Sequence, residues 1–307
     1  MRRFTVGTRG SALALWQTRH VSALLEPKAG PITERIITTQ GDVNMAERLQ
    51  GTIEKGFFTQ ELEAALREGS IDWAVHSLKD LPTRMPPGLA MGAVLKRAPP
   101  GDLLIVRPDA VDDKRPFPLK DGARVGSSSL RRESLLKRFA PWAKALPLRG
   151  NVPTRIEKLK GDTYDAVLLA VAGVGRLGLN LSGLISYELN PRRWVCAPGQ
   201  GAIAVQCRED DAEVLSVALT LDHAATRYAT EIERDFLKVL EGGCTTPFGC
   251  FVEGQKAHLG LATPGGWHGS LIELDPAVDA GWMSRALTNL QTNDSKEQSD
   301  DWLFRRV

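Results

Sequence analysis

The chain contains the same local pattern twice, and this repeat limits its possible folds more than any other feature. Val6 to Ser11 reads VGTRGS, and Val125 to Arg132 reads VGSSSLRR. In both, an apolar strand runs into a turn of small residues and then into the start of a helix. A second pair of similar strands follows, IDWAV from Ile71 and YDAV from Tyr164. The chain is therefore predicted to contain two lobes of like topology.

Each lobe is predicted to combine helices with a sheet. Strand and helix patterns alternate as far as Val205, which is typical of sheets with crossover helices. After Asp222 the pattern changes to one long helix, a hairpin turning near Glu253 and a closing helix. The predicted fold class is α/β: two similar lobes with mixed, mostly parallel sheets, plus a small α+β C-terminal domain.

The same patterns make local predictions. Leu24 is expected on the buried face of the first helix, and Asp222 is expected to cap the long helix. Thr59 is expected to cap a shorter helix. The sequence GVGR, which ends at Arg176, is expected to be a turn at a strand end.

Both copies of the repeat are candidate anion sites. A helix N-terminus presents backbone N–H groups and the positive end of the helix dipole. Arg9 and Ser11 would add charged and hydroxyl donors at the first copy. The second lies in the stretch from Arg124 to Arg155, which has eight basic residues and one acidic residue, a local net charge of +7. This charge predicts an anion-binding surface, with a solvated helix face as the alternative.

Two other stretches have side chains suited to chemistry. HSLKDLP follows a predicted strand at its carboxyl end, where open α/β sheets bind ligands. Lys79 and Asp80 are either site residues or an exposed ion pair. Cys244 follows two glycines that end the long helix, so its thiol is either a small buried hydrophobe or a reactive sulfur on a flexible loop. The four cysteines form no CxxC pair and the histidines have no ligand spacing, so no metal site is predicted.

Seven separated motifs together resemble one known family. In chain order they are TRGSALALWQ, HSLKDLP, VGSSSLRRE, LRGNVPTR, AVAGVGRLGL, APGQGA and EGGCTTPFG. The set is similar to that of the porphobilinogen deaminases of tetrapyrrole and heme biosynthesis, and it covers about residues 4 to 250. The resemblance implies three domains, the first two like the lobes of periplasmic binding proteins. Their expected ranges are 1–97 with 198–217, 101–193, and 222–307.

The resemblance also implies an activity. A transferase of this kind joins four porphobilinogen molecules head to tail on a covalently bound dipyrromethane cofactor. Ammonia leaves at each step, and hydrolysis finally releases hydroxymethylbilane. Each pyrrole unit carries two carboxylates, which explains the demand for arginines. Cys244 would attach the cofactor through a thioether, and Asp80 would be the catalytic carboxylate.

The resemblance assigns the other site residues as well. The cofactor is expected to contact Lys79, Ser127, Ser128, Ser129, Arg131, Arg132 and Arg155. The carboxylates of the substrate are expected to contact Arg9, Ser11, Arg149 and Arg176. Lys55 and Phe58, beside a glycine-punctuated stretch expected to be a mobile loop, are weaker candidates. Gln200 is expected only as a hinge or cleft residue.

Charge and hydropathy limit the partners and the compartment. The 307 residues have a net charge of +2 and no apolar run long enough to span a membrane. The N-terminal segment lacks the apolar core of a signal peptide. We expect a cytoplasmic monomer that binds porphobilinogen, with no nucleic-acid or membrane partner. The alternative is a two-lobed binding module that takes a small carboxylate ligand without chemistry, a function that needs neither Asp80 nor Cys244.

Overall fold

The computed structural model describes residues 2–39, 59–240, 247–274, 279–292 and 302–307. The chain divides into two compact units. The first comprises Met1–Ala98 and Gly199–Glu231, and the second comprises Pro99–Pro198 and Ile232–Val307. The boundary at Glu231 falls inside one helix, which therefore contributes residues to both units.

The first unit is built on a five-stranded mixed sheet. Its strands are β1 (Phe4–Thr8), β2 (Ile32–Ile36), β3 (Trp73–Ser77), β4 (Leu89–Val94) and β10 (Ile203–Arg208). Its helices are α1 (Ala12–Ala29), α2 (Gln60–Arg67) and α6 (Ala212–Leu219). The strand order is β2-β1-β3-β10-β4, with β2, β1 and β3 parallel and β10 antiparallel to both of its neighbours. The buried core of this unit includes Val6, Trp73 and Val205.

The second unit contains a six-stranded mixed sheet. Its strands are β5 (Asp102–Val106), β6 (Arg124–Gly126), β7 (Lys144–Leu146), β8 (Ala166–Ala170), β9 (Ile185–Leu189) and β14 (Phe304–Arg306). Its helices are α3 (Leu130–Phe139), α4 (Val152–Lys160) and α5 (Val171–Leu177). The strand order is β14-β9-β5-β8-β6-β7, in which β6 pairs in parallel with β7 and β8, whereas β5 pairs antiparallel with β8 and β9, and β14 pairs antiparallel with β9.

The chain beyond Ile232 adds a smaller α+β part to the second unit. It comprises the end of α7 (Ala224–Val239), β11 (Phe248–Glu253), β12 (Lys256–Thr263), β13 (Gly266–Glu273) and α8 (Ala280–Thr292). The three strands form an antiparallel sheet in sequence order. Gly260 lies directly under the indole of Trp267, and a Cβ there would overlap the ring. Glycine at 260 therefore lets Trp267 reach the core that it shares with Trp194.

The two large sheets contain the same five-strand arrangement. The order β2-β1-β3-β10-β4 in the first unit matches β7-β6-β8-β5-β9 in the second. The registers match too, because Val6 pairs with Trp73 and Val125 pairs with Ala166. The predicted α/β class, with two similar lobes and mixed sheets, is confirmed.

The sheets are mixed and mostly parallel, as predicted: four of the five described strands of the first sheet run in one direction, and so do four of the six described strands of the second. Among the described strands, the first sheet has two parallel and two antiparallel pairings, and the second has two parallel and three antiparallel. The antiparallel pairs arise because β10 and β5 each enter a sheet between two strands that run the other way. An apolar pattern does not encode strand direction, so the sequence gives no signal of this insertion.

Two predictions about helices need correction. Leu24 is 41% exposed, and its neighbour Leu25 fills the buried position on α1. The sequence GVGR is not a turn, because it lies inside α5, which ends at Gly178 in the left-handed conformation. The small residues that suggest a turn here instead leave room for a short helix directly after β8.

The capping predictions for the other helices are partly wrong. Asp222 is not the cap of α7, because its carboxylate accepts from the backbone N–H of Val94 at 2.7 Å. His223 takes that place, and its Nδ1 accepts from the N–H of Thr226 at 3.2 Å. Thr59 precedes α2 as expected, although its side chain makes no capping hydrogen bond. Across the described helices, none has the length and hydropathy that crossing a bilayer requires.

Candidate functional site

In the first unit, the strand–turn–helix repeat forms one wall of a small cavity. Ser11 caps α1, and its Oγ accepts from the N–H of Ala14 at 3.3 Å. Arg9 and Ser11 line a cavity of about 80 Å³ whose other side includes Ser77 and Asp80. The repeat therefore places a guanidinium and a hydroxyl in the same cavity as a carboxylate.

Asp80 is held by a turn of 3₁₀ helix, Leu78–Asp80, directly after β3. Leu78 is fully buried and anchors this turn, whereas Asp80 is exposed. A Cβ at Gly199 would lie 3.0 Å from Leu78 Cγ, and φ there is +72°, so glycine allows the chain to pass this close. Lys79 Nζ lies 3.5 Å from Oε1 of Gln200, which joins two of the predicted site residues.

The floor of the cavity is polar. His76 is 6% exposed, and its Nε2 lies 3.0 Å from Oε1 of Gln206. The pKa of His76 is lowered to about 4, mainly by burial; the hydrogen bond to Gln206 opposes this shift, and the positive charge of Arg9 adds to it. His76 is therefore neutral at physiological pH. Gln17 is buried beside it and donates from Nε2 to Oγ of Ser77 at 2.9 Å.

In the second unit, the corresponding turn is made of three serines. Ser127 Oγ accepts from the N–H of Ser129 at 3.2 Å, and Ser129 caps α3. Ser128 Oγ donates to the carbonyl of Leu148 at 2.7 Å and accepts from its N–H at 3.1 Å. The hydroxyl groups that were predicted to bind the cofactor therefore also brace the turn against the next loop.

Arg131 and Arg132 lie in the first turn of α3 and share one buried carboxylate. The Asp102 side chain is 0% exposed and those of the arginines are 5% and 8% exposed. Arg131 donates to Asp102 Oδ2 at 2.9 Å, and Arg132 donates to Oδ1 at 2.7 Å. Trp194 Nε1 adds a third bond, to Oδ2 at 3.0 Å. Both predicted cofactor-binding arginines thus have an internal partner that sequence reasoning did not identify.

A second helix start in this unit carries further predicted residues. Asn151 caps α4, and Arg155 Nε donates to the carbonyl of Gly150 at 2.7 Å. Gly150 has a φ of +115°, a conformation that suits glycine at this bend. Arg149 is exposed. Arg176, in the last turn of α5, is partly buried, and this burial lowers its pKa to about 10.

Three predicted site residues, Lys55, Phe58 and Cys244, lie outside the described residues. The other three cysteines are buried. Burial raises the pKa of Cys207 to about 11, so that thiol stays protonated near neutral pH. Gln17, His76, Ser77 and Asp102 are polar residues of these two sites that sequence reasoning missed. An aspartate at the head of the apolar run DLLIV was the available signal for the last of them.

Comparison with known proteins decides the family. Residues 4–216 match the family model described as "Porphobilinogen deaminase, dipyromethane cofactor binding domain". The chain belongs to the porphobilinogen deaminase family. A porphobilinogen deaminase of Desulforamulus reducens is 44% identical over 265 residues, which is 84% of this chain and 82% of that protein. One from Nitratidesulfovibrio vulgaris is 44% identical over 251 residues, 80% of this chain and 78% of the relative.

Membership of the porphobilinogen deaminase family confirms the predicted class of function. The chain is a transferase of tetrapyrrole biosynthesis with a dipyrromethane cofactor. A binding module without chemistry is not favoured. Among solved structures, the periplasmic VFT2 domain of Bordetella pertussis BvgS matches with a TM-score of 0.38 and 19% identity, over 76% of this chain and 89% of that one. Such a score is too low to identify a fold, so the fold class rests on the sheets.

Proposed function

We propose that the chain condenses four porphobilinogen molecules head to tail on a dipyrromethane cofactor attached to Cys244, releasing ammonia and then hydroxymethylbilane. The observation that carries this proposal is the cavity in which Asp80 lies with Arg9 and Ser11. A single carboxylate among groups that bind anions suits a substrate that is anionic at its edge and becomes cationic at its reacting carbon.

Asp80 is proposed as the catalytic residue. When ammonia leaves the aminomethyl group of porphobilinogen, positive charge develops on the substrate next to its pyrrole ring. The Asp80 carboxylate stabilises that charge, and it can accept a pyrrole proton and return it. His76 is a poor candidate for this proton transfer, because its pKa of about 4 and its bond to Gln206 keep it neutral and occupied.

The arginines of both units are proposed to hold carboxylates. We assign Arg9, Ser11, Arg149 and Arg176 to the acetate and propionate groups of the incoming substrate. A planar guanidinium takes a carboxylate through two parallel hydrogen bonds, which fixes the orientation of the ring that carries it. Burial lowers the pKa of Arg176 to about 10, and a carboxylate bound there would offset this desolvation, which supports the assignment.

The second unit supplies the proposed cofactor contacts. We assign them to Ser127, Ser128, Ser129, Arg131, Arg132 and Arg155, with Lys79 from the first unit. These residues fit a polyanionic group, because Nε of Arg132 is buried and has no acceptor. When bound, the dipyrromethane supplies the pyrrole carbon to which the first new unit is joined. The chain's own residues orient its carboxylates and keep it in place.

Cys244 is proposed as the attachment point partly because the other thiols are unsuited to it. Cys196, Cys207 and Cys250 are buried in strands or cores, and a thioether there would displace packed side chains. We further propose three domains, at 1–97 with 198–217, 101–193 and 222–307. Roles for Lys55, Phe58 and Gln200 near the site also stay proposals, as do a cytoplasmic location, a monomeric state and the absence of a nucleic-acid partner.

Attachment can be tested on the purified protein. The intact mass should exceed that of the bare chain by one dipyrromethane, and the protein should colour with Ehrlich's reagent. Cys244→Ala should have the bare mass and give no colour, whereas Cys250→Ala, a matched control at a buried thiol, should keep both. A bare mass and no colour for wild-type protein supplied with porphobilinogen would contradict the proposed function.

The role of Asp80 can be tested separately. Asp80→Asn preserves the shape of the side chain and removes its charge, so the variant should keep the cofactor mass and lose turnover by about 100-fold or more. Asp109→Asn, which removes an exposed carboxylate on the second unit, should leave turnover unchanged. Wild-type turnover in Asp80→Asn would refute the assignment.

A further inference from the structure

Asp102 is the most deeply buried charged side chain of the second unit's anion site. It begins β5 and pairs with Ala170 across the sheet. The matched strand in the first unit, β10, has Ile203 at the same place, opposite Ser77. Ile203 is 3% exposed and belongs to an apolar core. The fold therefore does not need a carboxylate at this position, and its presence in the second unit calls for another explanation.

The charges around Asp102 do not cancel. Two guanidinium groups face one carboxylate, which leaves this group of three with a net charge of +1. The two arginines also donate to backbone carbonyls, Arg131 to that of Val195 and Arg132 to that of Leu168. In addition, the buried Nε of Arg132 has no acceptor. The cluster is thus one negative charge and one hydrogen-bond acceptor short, and a carboxylate ligand would supply both.

We propose that Asp102 is a positioning residue for cofactor loading. Before the cofactor is attached, it holds Arg131 and Arg132 side by side and compensates one of their two charges. The charge that remains is the one that a carboxylate of the dipyrromethane neutralises. This inference rests on the proposed function, and it adds a residue that touches neither the substrate nor the cofactor.

A purely structural ion pair would behave differently. A buried ion pair can usually be replaced by apolar side chains without loss of stability, whereas removal of one partner leaves an uncompensated buried charge. If Asp102 only stabilises the fold, its loss should harm the protein equally with and without cofactor. If Asp102 is instead the negative charge that holds the two arginines together until the ligand binds, its loss should destabilise the protein most when no cofactor is present. The difference between the two forms therefore separates the roles.

The test compares the thermal unfolding midpoint of the full chain before and after loading. Protein made in cells that lack porphobilinogen gives the unloaded form, and incubation with porphobilinogen gives the loaded form, checked by mass. In Asp102→Asn, the midpoint of the unloaded form should fall by about 5–10 °C and that of the loaded form by less than half as much. The gain on loading should therefore be larger in the variant than in the wild type.

Asp165→Asn is the matched control. Asp165 directly precedes β8 of the same sheet and pairs with Arg124, but both of these side chains are partly exposed, whereas those of the Asp102 cluster are buried. Its replacement should lower both midpoints by the same small amount. Equal falls in the two forms of Asp102→Asn would overturn the proposal. If wild-type protein gains no mass from porphobilinogen, the proposed function itself fails.

A double variant covers the case in which Asp102→Asn does not fold. Asp102→Asn with Arg132→Gln keeps the net charge of the cluster at +1, because one negative and one positive group are removed together. It should fold, with a midpoint in the unloaded form closer to wild type than that of the single variant, and it should load more slowly. A double variant that is no more stable than Asp102→Asn, or that also fails to fold, would overturn the proposal.

Discussion

The two units share one backbone motif, a strand that leads through a short turn into a helix, but they carry different side chains on it. In each, the first strand of the parallel group runs into a helix capped by a serine, Ser11 in one and Ser129 in the other. The second and third helical residues then differ. They are Leu13 and Ala14 in the first unit, and Arg131 and Arg132 in the second. The strand residue at the matched position differs as well, Ile203 in the first unit and Asp102 in the second.

These few substitutions change what each site can hold. Leu13 and Ala14 are small or apolar, and they line a small cavity in the first unit whose charged lining residues are Arg9 and Asp80. In the second unit, the guanidinium groups of Arg131 and Arg132 are buried and pair with Asp102. The first arrangement suits a ligand that reacts and leaves, and the second suits one that stays. Function is thus set by side chains placed on a common frame.

The largest expected effect comes from giving the second unit the apolar pattern of the first. The triple variant Asp102→Ile, Arg131→Leu, Arg132→Leu should gain no mass from porphobilinogen. It should still unfold within about 5 °C of the unloaded wild type or above it, because an entire buried ionic cluster is replaced by apolar groups. Intact mass and thermal unfolding measure the two outcomes. Arg124→Leu, the control on the same sheet, should gain the cofactor mass normally. A triple variant that still gains this mass would show that the Asp102 cluster is not needed for cofactor attachment.

The reverse exchange should damage the first unit. Ile203→Asp places a carboxylate in an apolar core with no arginine at the matched helix positions, so the free energy of unfolding should fall by about 3–5 kcal/mol. Urea denaturation measures the loss. Ile203→Val, which removes one methylene from the same place, should cost about 1 kcal/mol. If Ile203→Asp lowers the free energy of unfolding no more than Ile203→Val does, the first unit tolerates a carboxylate at this position, and the contrast drawn between the two units is wrong.

A difference in pH dependence should follow from His76, which is matched by Leu169 in the second unit. The folded-state pKa of about 4 lies below the usual 6.5, so below pH 6.5 the unfolded chain binds a proton that the folded chain does not. Wild-type stability should therefore fall by about 2 kcal/mol between pH 7 and pH 5. His76→Leu should remove that part of the slope, although the loss of the Gln206 contact lowers its stability throughout. If urea denaturation finds that the free energy of unfolding of His76→Leu falls as steeply between pH 7 and pH 5 as that of the wild type, His76 is not the cause of this pH dependence.

Sequence patterns predicted the features of this comparison that are local. The strand–turn–helix repeat, with hydroxyl side chains at both helix starts, depends on residues that are neighbours in the chain. The insertion of β10 and β5 against the parallel strands depends on pairings that form only in the folded sheet.

In the candidate sites too, local sequence patterns do not predict contacts between residues that are far apart in the chain. Asp102 is separated in sequence from Arg131 and Arg132 by 29 and 30 positions and from Trp194 by 92. No local motif therefore predicts this cluster. The family resemblance named Arg131 and Arg132 as ligands of the cofactor, but it gave no reason to expect that they also share a buried carboxylate. Burial and partner geometry are what add Asp102 to the site.

The smallest expected effect concerns a feature that the two units share. Asp72 and Asp165 occupy matched places before β3 and β8, and each accepts at 2.8 Å from a backbone N–H at the adjacent parallel strand, that of Thr5 or of Arg124. Asp165→Asn should lower the free energy of unfolding by only about 1 kcal/mol, because its partner Arg124 is partly exposed to solvent. Asp72→Asn should cost more, because its carboxylate is less exposed and also pairs with Arg2.

The difference in free energy of unfolding between the wild type and Asp165→Asn should disappear at low pH. The hydrogen bond from Arg124 holds the pKa of Asp165 below its usual value, so its contribution is present at neutral pH and is lost as the pH falls through the folded-state pKa. Urea denaturation should therefore find the gap between wild type and Asp165→Asn narrowing as the pH drops below about 4. A gap that stays constant in acid would show that the hydrogen bonds accepted by the carboxyl oxygens of Asp165 matter there and that its charge does not. The shared aspartates would then brace the strand ends through their backbone hydrogen bonds alone.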